Sequence, residues 1–219
     1  MARSPFIPEF GRLPRSLPIF PLEGVAVLPE AELPLNVFEP RYLNMVEDAL
    51  KADHLIGMVQ PRARIAGDPP PVYRTGCAGR ITAYRETDDG RILVTLTGVC
   101  RFDITEELPA LRGYRVVIPE WTRFRSDYDD APAGPVLADR DRFFTALQRF
   151  FRDRELKVEA ASLARLPAAA LVNRLATVLP LDPAEKQAVV EAVAPAERAE
   201  ALLAALELAV TGEQGRSRH

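Results

Sequence analysis

Tyr73-Arg-Thr-Gly-Cys-Ala-Gly-Arg-Ile-Thr-Ala-Tyr84, then Thr87-Asp-Asp-Gly90, then Arg91-Ile-Leu-Val-Thr-Leu-Thr-Gly-Val-Cys-Arg-Phe102, is the stretch that decides the fold class. Two runs rich in Val, Ile and Thr flank a turn in which Gly90 can take positive φ at no steric cost, so the pattern predicts a β-hairpin. Tyr114 to Ile118 reads as a further strand, with Trp121 just beyond it. Upstream, Leu17-Pro-Ile-Phe-Pro-Leu22, Val25-Ala-Val-Leu28, Glu32-Leu-Pro-Leu-Asn-Val-Phe38 and His54 to Val59 are strand candidates. Of 20 prolines, 12 fall at or before Pro71, which excludes long helix there and confines the strands to edges and bulges. One helix interrupts. Pro40 suits its first turn, and Tyr42, Leu43, Val46, Ala49 and Leu50 recur at helical spacing. Many short strands with one covering helix predict a curled or closed barrel, because closure leaves few naked edges.

The second half has a different composition. Ala occurs 10 times in residues 1–128 and 21 times in 129–219, so the C-terminal part is expected to be helical. Phe143, Phe144, Leu147, Phe150 and Phe151 form one apolar stripe; Leu171, Val172, Leu175, Val178 and Leu179 form another. Asp182-Pro-Ala-Glu185 is a helix start, with Asp182 as cap, Pro183 in the first turn and Glu185 bonding back. Pro195 opens a last helix with Ala199, Leu202, Leu203, Leu206 and Val210 on its apolar side, and Thr211 to His219 reads as a polar, frayed tail. The expected organisation is a β-rich subdomain over 1–128, a linker at 129–135, a helical bundle over 136–212 and a tail at 213–219.

The charge balance narrows the function classes. Residues 1–128 carry 16 basic and 17 acidic side chains, and 129–219 carry 12 and 14, so neither half is a basic nucleic-acid module. Two cysteines are too few for a disulfide scaffold or a zinc site. No uninterrupted apolar run reaches membrane-spanning length, and the prolines and charges of Met1 to Leu13 stand where a signal peptide would have its apolar core. A cytoplasmic protein is the expectation, with no cofactor and no metal.

In order along the chain, the Leu17–Leu22 run, Val27-Leu-Pro29, Leu33-Pro-Leu35, Phe38-Glu-Pro-Arg-Tyr42, Gly76-Cys-Ala-Gly-Arg-Ile81, Asp88-Asp-Gly-Arg91, Thr97-Gly-Val-Cys-Arg-Phe102 and Leu179-Pro-Leu-Asp-Pro-Ala-Glu-Lys-Gln187 resemble the Lon protease N-terminal (substrate-binding) domain family, and in particular its short stand-alone bacterial proteins. The resemblance runs from about Leu17 to Val210. It implies an α+β fold: an N-terminal PUA-like β pseudobarrel with one covering helix, followed by a C-terminal helical bundle. It also implies a non-catalytic module that binds unfolded or degron-bearing polypeptides, with a role as protease adaptor and homo-oligomerisation both compatible. No Gly-x-x-x-x-Gly-Lys-Ser/Thr phosphate cradle is present, and none of the three lysines and five serines sits in the family's protease motif.

The remaining chemistry-bearing residues read as structural. Cys77 and Cys100, on the two hairpin arms, are expected to be small apolar residues rather than a redox or soft-metal pair. His54 is read as a helix-end residue, Asp127, Asp129 and Asp130 as a solvated linker, and Glu39 and Arg41 as charges holding a helix start where Phe38 and Tyr42 pack. Trp121, Phe124, Tyr128, Phe143 and Phe144 are the candidate substrate-binding residues, because an unfolded client needs an apolar groove between barrel and bundle. RNA binding, through fold analogy and a patch at Arg62, Arg64 and Arg74, is the alternative.

Overall fold

The computed structural model describes residues 6–62, 67, 69–110, 112–129, 134–156 and 165–216, with side chains of the last helix to residue 209. Six strands, β1 (Leu17–Pro21), β2 (Glu32–Val37), β3 (Leu55–Val59), β4 (Thr75–Glu86), β5 (Ile92–Leu108) and β6 (Arg115–Glu120), form one mixed sheet in the order β2-β5-β4-β3-β1-β6. β6 also pairs with β5, so β5, β4, β3, β1 and β6 close into a ring with β2 outside it. The β1–β3 pairing is parallel and the others are antiparallel. Closure depends on the length of β5. Its first half pairs with β2, and its last residues, Asp103 to Leu108, pair with β6 on the same side.

The sheet is buried on both faces. Ile56, Met58, Cys77, Ile81, Val94 and Leu96 pack with Tyr42, Met45, Val46 and Ala49 of α1 (Pro40–Lys51). On the other face Leu17, Ile19, Leu55, Val59, Val99, Cys100, Phe102 and Val117 form a second cluster, joined by Phe124 from a 3-10 segment (Thr122–Tyr128). The third core is helical: α2 (Arg140–Asp153), α3 (Ala168–Val178), α4 (Pro183–Glu191) and α5 (Pro195–Arg216). Phe143, Leu147, Phe150, Leu171, Val172, Leu175, Leu202 and Leu206 meet there, as the two stripes and the last helix predict. Asp182 and Glu185 make the expected capping box.

Several expectations need correction. Val25 to Leu28 forms no strand; it runs between two cores, with Val25 and Val27 against the sheet cluster and Ala26 and Leu28 in the helical one. Gly98 makes that crossing possible. A Cβ there would lie 1.9 Å from the Leu28 carbonyl oxygen, and the Gly98 backbone bonds to Glu30 and Ala31. Val178 faces solvent, because the chain turns out of α3 beside it. Phe38 does not pack with Tyr42: it is 60% exposed, and Tyr42 stacks on Phe20 instead. The last helix continues to Arg216, past the expected start of the tail. Asp127 is not linker; its side chain is fully buried. Asp130 and most of the expected linker lie outside the described residues, as does the side chain of Val210.

Asp127 is buried because Arg101 is. Arg101, 0% exposed on β5, donates from Nε to Asp127 Oδ2 at 2.9 Å and from Nη2 to Oδ1 at 2.7 Å. Its remaining N–H groups go to the carbonyls of Val190 (3.1 Å), Val193 (2.9 Å) and Ala192, at the end of α4. Arg101→Met should therefore lower the unfolding free energy by about 3–5 kcal/mol, the usual cost of stranding a buried charge, and adding Asp127→Leu should recover part of it. Urea denaturation of the single and double variants checks this.

Lys186 on α4 is 3% exposed, and its Nζ donates to the Thr177 carbonyl at the end of α3 at 3.3 Å. Burial pulls its pKa down to about 8. The unfolded chain then binds more protons than the folded one between pH 8 and the ordinary lysine value, so stability rises with pH across that window. Lys186→Met should raise the urea midpoint at pH 7, and the gain should shrink at pH 10.

Candidate functional site

The β2–β5–β4 ladder extends past the ring. Among the described residues β3 pairs with β4 only over Cys77–Arg80, so Thr82 to Glu86 have β5 on one side and no described strand on the other. All five of those residues are exposed, and β2 has β5 as its one strand neighbour. Register places two cross-strand rows on the outward face, Pro34–Thr95–Ala83 and Asn36–Leu93–Arg85. With Leu35, Tyr84 and Val94 at the margin, they line an open, mainly apolar trough of about 430 Å³. Phe38, immediately after β2, lies under the Arg91 guanidinium at 5.6 Å, and Tyr84 is 41% exposed. The Glu86 carboxylate accepts the Tyr84 hydroxyl hydrogen bond, and that bond raises the phenol pKa, so the ring presents a neutral phenol. This surface has apolar area, free strand edge and no buried charge, the features that hold an extended polypeptide.

The five residues expected to bind substrate fall in two places. Trp121, Phe124 and Tyr128 come together on the 3-10 segment and the residue before it, against the sheet cluster. Phe124 is 0% exposed, beneath Arg101 at 4.3 Å and Arg123 at 4.9 Å. Trp121 and Tyr128 are half-buried; Trp121 Nε1 donates to the Pro14 carbonyl at 3.2 Å and Tyr128 Oη to that of Pro8 at 2.9 Å. Phe143 and Phe144 belong to the helical cluster; Phe143 is core, and Phe144 is half-buried under Arg140. Phe124 and Phe143 thus offer no ring to a client.

Sequence reasoning did not single out Pro34, Leu35, Tyr84 and Leu93, and it assigned Phe38 to packing. One signal was available. In Arg91 to Phe102 the alternation Ile92, Val94, Leu96 names the buried face, which leaves Leu93 as an apolar residue on the other.

Sheet and helices meet across a second, polar set of contacts. Gln60 Nε2 donates to the Pro183 carbonyl (3.0 Å) and to Gln187 Oε1 (3.1 Å), and Gln60 Oε1 accepts from Gly24 N–H. Gln187 Nε2 donates to the Thr75 carbonyl and to Glu191 Oε1. Arg198 reaches Asp127 at 3.5 Å and the Val193 carbonyl at 3.0 Å, and burial followed by the Arg101 charge lowers its pKa to about 10. These groups join the two halves.

Comparison with known proteins agrees with this architecture. The sequence model described as ATP-dependent protease La (LON) substrate-binding domain matches residues 16–207. The chain belongs to that family. The LON domain is 27% identical over 212 residues to a Lon protease of Elusimicrobium minutum, covering 90% of this chain and 24% of that one. It is 34% identical over 98 residues to a Lon protease of Dictyoglomus thermophilum, 44% of this chain and 12% of the relative. It therefore spans a quarter or less of these curated relatives' length. Among solved structures, a Lon N-terminal domain protein from Xanthomonas campestris superposes with a TM-score of 0.59 at 28% identity, covering 86% of this chain and 97% of that one. The N-terminal domain of a Mycobacterium avium complex Lon protease also gives 0.59, at 15% identity, covering 88% and 98%, which speaks to fold alone.

The other candidate groups of the LON domain are structural. Cys77 pairs in register with Arg101 and Cys100 with Ala78, so the two thiols lie on opposite faces of the sheet, each buried and in no disulfide. Burial raises the Cys77 pKa far above that of a reactive thiol. His54 takes φ +58° after α1, with its N–H on the Ala49 carbonyl and its own carbonyl receiving Ile81 N–H. Glu39 and Arg41 form an exposed ion pair at 2.8 Å. Arg64 of the basic patch lies outside the described residues, and the described Arg62 stacks on Tyr73. Among the described residues no group of three or more His, Cys, Asp and Glu is placed to hold a metal ion, and no helix is long and apolar enough to cross a membrane. A thiol reagent should label neither cysteine in native protein over hours, and both once urea unfolds it; fast labelling of either in the folded state would contradict their burial.

Proposed function

We propose that this LON domain is a polypeptide-binding module that captures extended, apolar segments of unfolded or degron-bearing proteins without acting on them chemically, and that it presents them to a protease. The observation that carries this reading is the outward trough on β2, β5 and β4, with Pro34, Leu93, Tyr84 and Phe38 at the surface beside unpaired strand backbone. Family membership supports it, because the matched model is that of a substrate-binding domain. In the same reading the closed ring is the PUA-like pseudobarrel, the four helices are the C-terminal bundle, and the protein works in the cytoplasm. Three features favour polypeptide over RNA: a near-neutral charge balance, an apolar trough and the family match.

The trough is suited to weak, reversible capture. A client burying two large side chains there gains about 3–6 kcal/mol, and the cost of association offsets much of it. That selects for unfolded chains, which offer several such segments at once. A reduced, alkylated model protein that cannot fold should bind, and its disulfide-intact form should not. The double variant Phe38→Ser with Leu93→Glu should lose at least about tenfold in affinity, with its melting temperature close to wild type, because Phe38 is exposed and Leu93 is half-buried on the outward face. Equal affinity for folded and unfolded forms would overturn the reading.

A further inference from the structure

The family match begins at residue 16, yet the chain before it is docked on the domain. Residues Phe6–Leu13 run over the aromatic surface of the 3-10 segment. Ile7 and Phe10 pack on the cluster that includes Phe102 and Phe124, and Trp121 and Tyr128 pack on the same cluster. Phe10 meets Tyr128 edge-on at 5.4 Å, and the Arg125 guanidinium lies over the Phe10 ring at 4.8 Å. The Tyr128 hydroxyl and the Trp121 indole N–H donate to the main-chain carbonyls of Pro8 and Pro14. Proline offers a carbonyl and no N–H, so these two side-chain donors match the one polar group that a prolyl residue presents.

Side chains, rather than main-chain pairing, hold the segment. Leu13 is its one buried residue, and Phe6 is 71% exposed. Among the described residues its backbone–backbone hydrogen bonds are the two that close its own turn, Arg12 N–H to Glu9 and Leu13 N–H to Phe10. It adds no strand to the sheet. The two side-chain donors, Phe10 between Tyr128 and Arg125, and the packing of Ile7 and Leu13 hold it through side chains, and such contacts read main-chain carbonyls and apolar side chains that another chain can also supply.

We infer that Trp121, Arg125 and Tyr128 form a second polypeptide groove, that residues Phe6–Pro14 fill it as a built-in pseudo-ligand, and that a client segment presenting an aromatic side chain between free main-chain carbonyls takes their place. The inference does not depend on the β2–β5–β4 trough, and the two fail separately.

Trp121 is the single tryptophan, so its emission reports the groove directly. The probe is a synthetic peptide, Phe6-Ile-Pro-Glu-Phe-Gly-Arg-Leu-Pro14, titrated into full-length wild type and into full-length Phe10→Ala, with Ile7→Ser as a second variant that loosens the segment and leaves the groove untouched. Both variants should take the peptide at least about tenfold more tightly than wild type, and a peptide with serine at the Phe10 position should leave Trp121 emission unchanged. Combining Phe10→Ala with Phe38→Ser and Leu93→Glu should leave peptide binding intact. Two results would overturn the inference: no change in Trp121 emission with either variant, or a fall in melting temperature of more than about 10 °C in both, which would make the segment part of the core.

Discussion

One buried guanidinium holds the two halves of this domain in a single arrangement. Arg101 is fully buried, and each of its five N–H groups finds an oxygen: two on Asp127 and three on the carbonyls of residues 190, 192 and 193. Desolvating a charge pair costs several kcal/mol, so this set is poor evidence of raw stability compared with an apolar contact. Its contribution is direction. The end of α4 and the 3-10 segment can meet β5 in the one geometry that leaves no N–H unpaired. The backbone N–H of Arg101 also donates to Asp127, which ties the ladder itself into the same contact.

That arrangement positions both the open trough and the seat of the N-terminal segment. Phe124 lies beneath the guanidinium, so the 3-10 segment carrying Trp121 and Tyr128 is anchored from below while its outer side meets the N-terminal segment. The Gln60–Gln187 pair and the Thr75–Asp103–Arg123 bonds extend the polar contact along β4 and β5. The helices therefore cover the ring end of that hairpin, and its distal end projects free. The trough exists because β3 stops pairing at Arg80 and β2 is the last strand. The open trough and the covered base are two ends of the same pair of strands.

Much of the architecture is local in origin and so was legible along the chain. The turn at Thr87–Gly90, the period-two apolar runs, the Asp182–Glu185 box and the phenylalanine stripe of α2 each depend on neighbours within a few residues. Gly90 has φ +78°, as that turn needs, and the two helical stripes are buried apart from Val178 and the half-buried Phe144. Val25 to Leu28 misled for a physical reason. An extended segment with alternating burial looks like a strand whether its alternate faces meet a sheet and a solvent or two separate cores. Asp127 misled because charge next to proline and glycine reads as solvated, and its partner is 26 residues away.

The sequence by itself determined the class of structure: a β-rich first half, a helical second half, an ordered set of motifs belonging to a substrate-binding domain, and no catalytic motif of that family's longer members. Those are matters of composition and short-range periodicity, which a linear chain displays. Which apolar residues stay outside was decided only in three dimensions. Phe38 and Leu93 are as hydrophobic as Phe124 and Phe143; the register of β2 and β5 leaves Phe38 exposed and Leu93 half-buried on the outward face, and ring closure and helix packing bury the second two. Exposure is a property of what lies opposite a side chain, and on a closed sheet that neighbour comes from a distant part of the sequence.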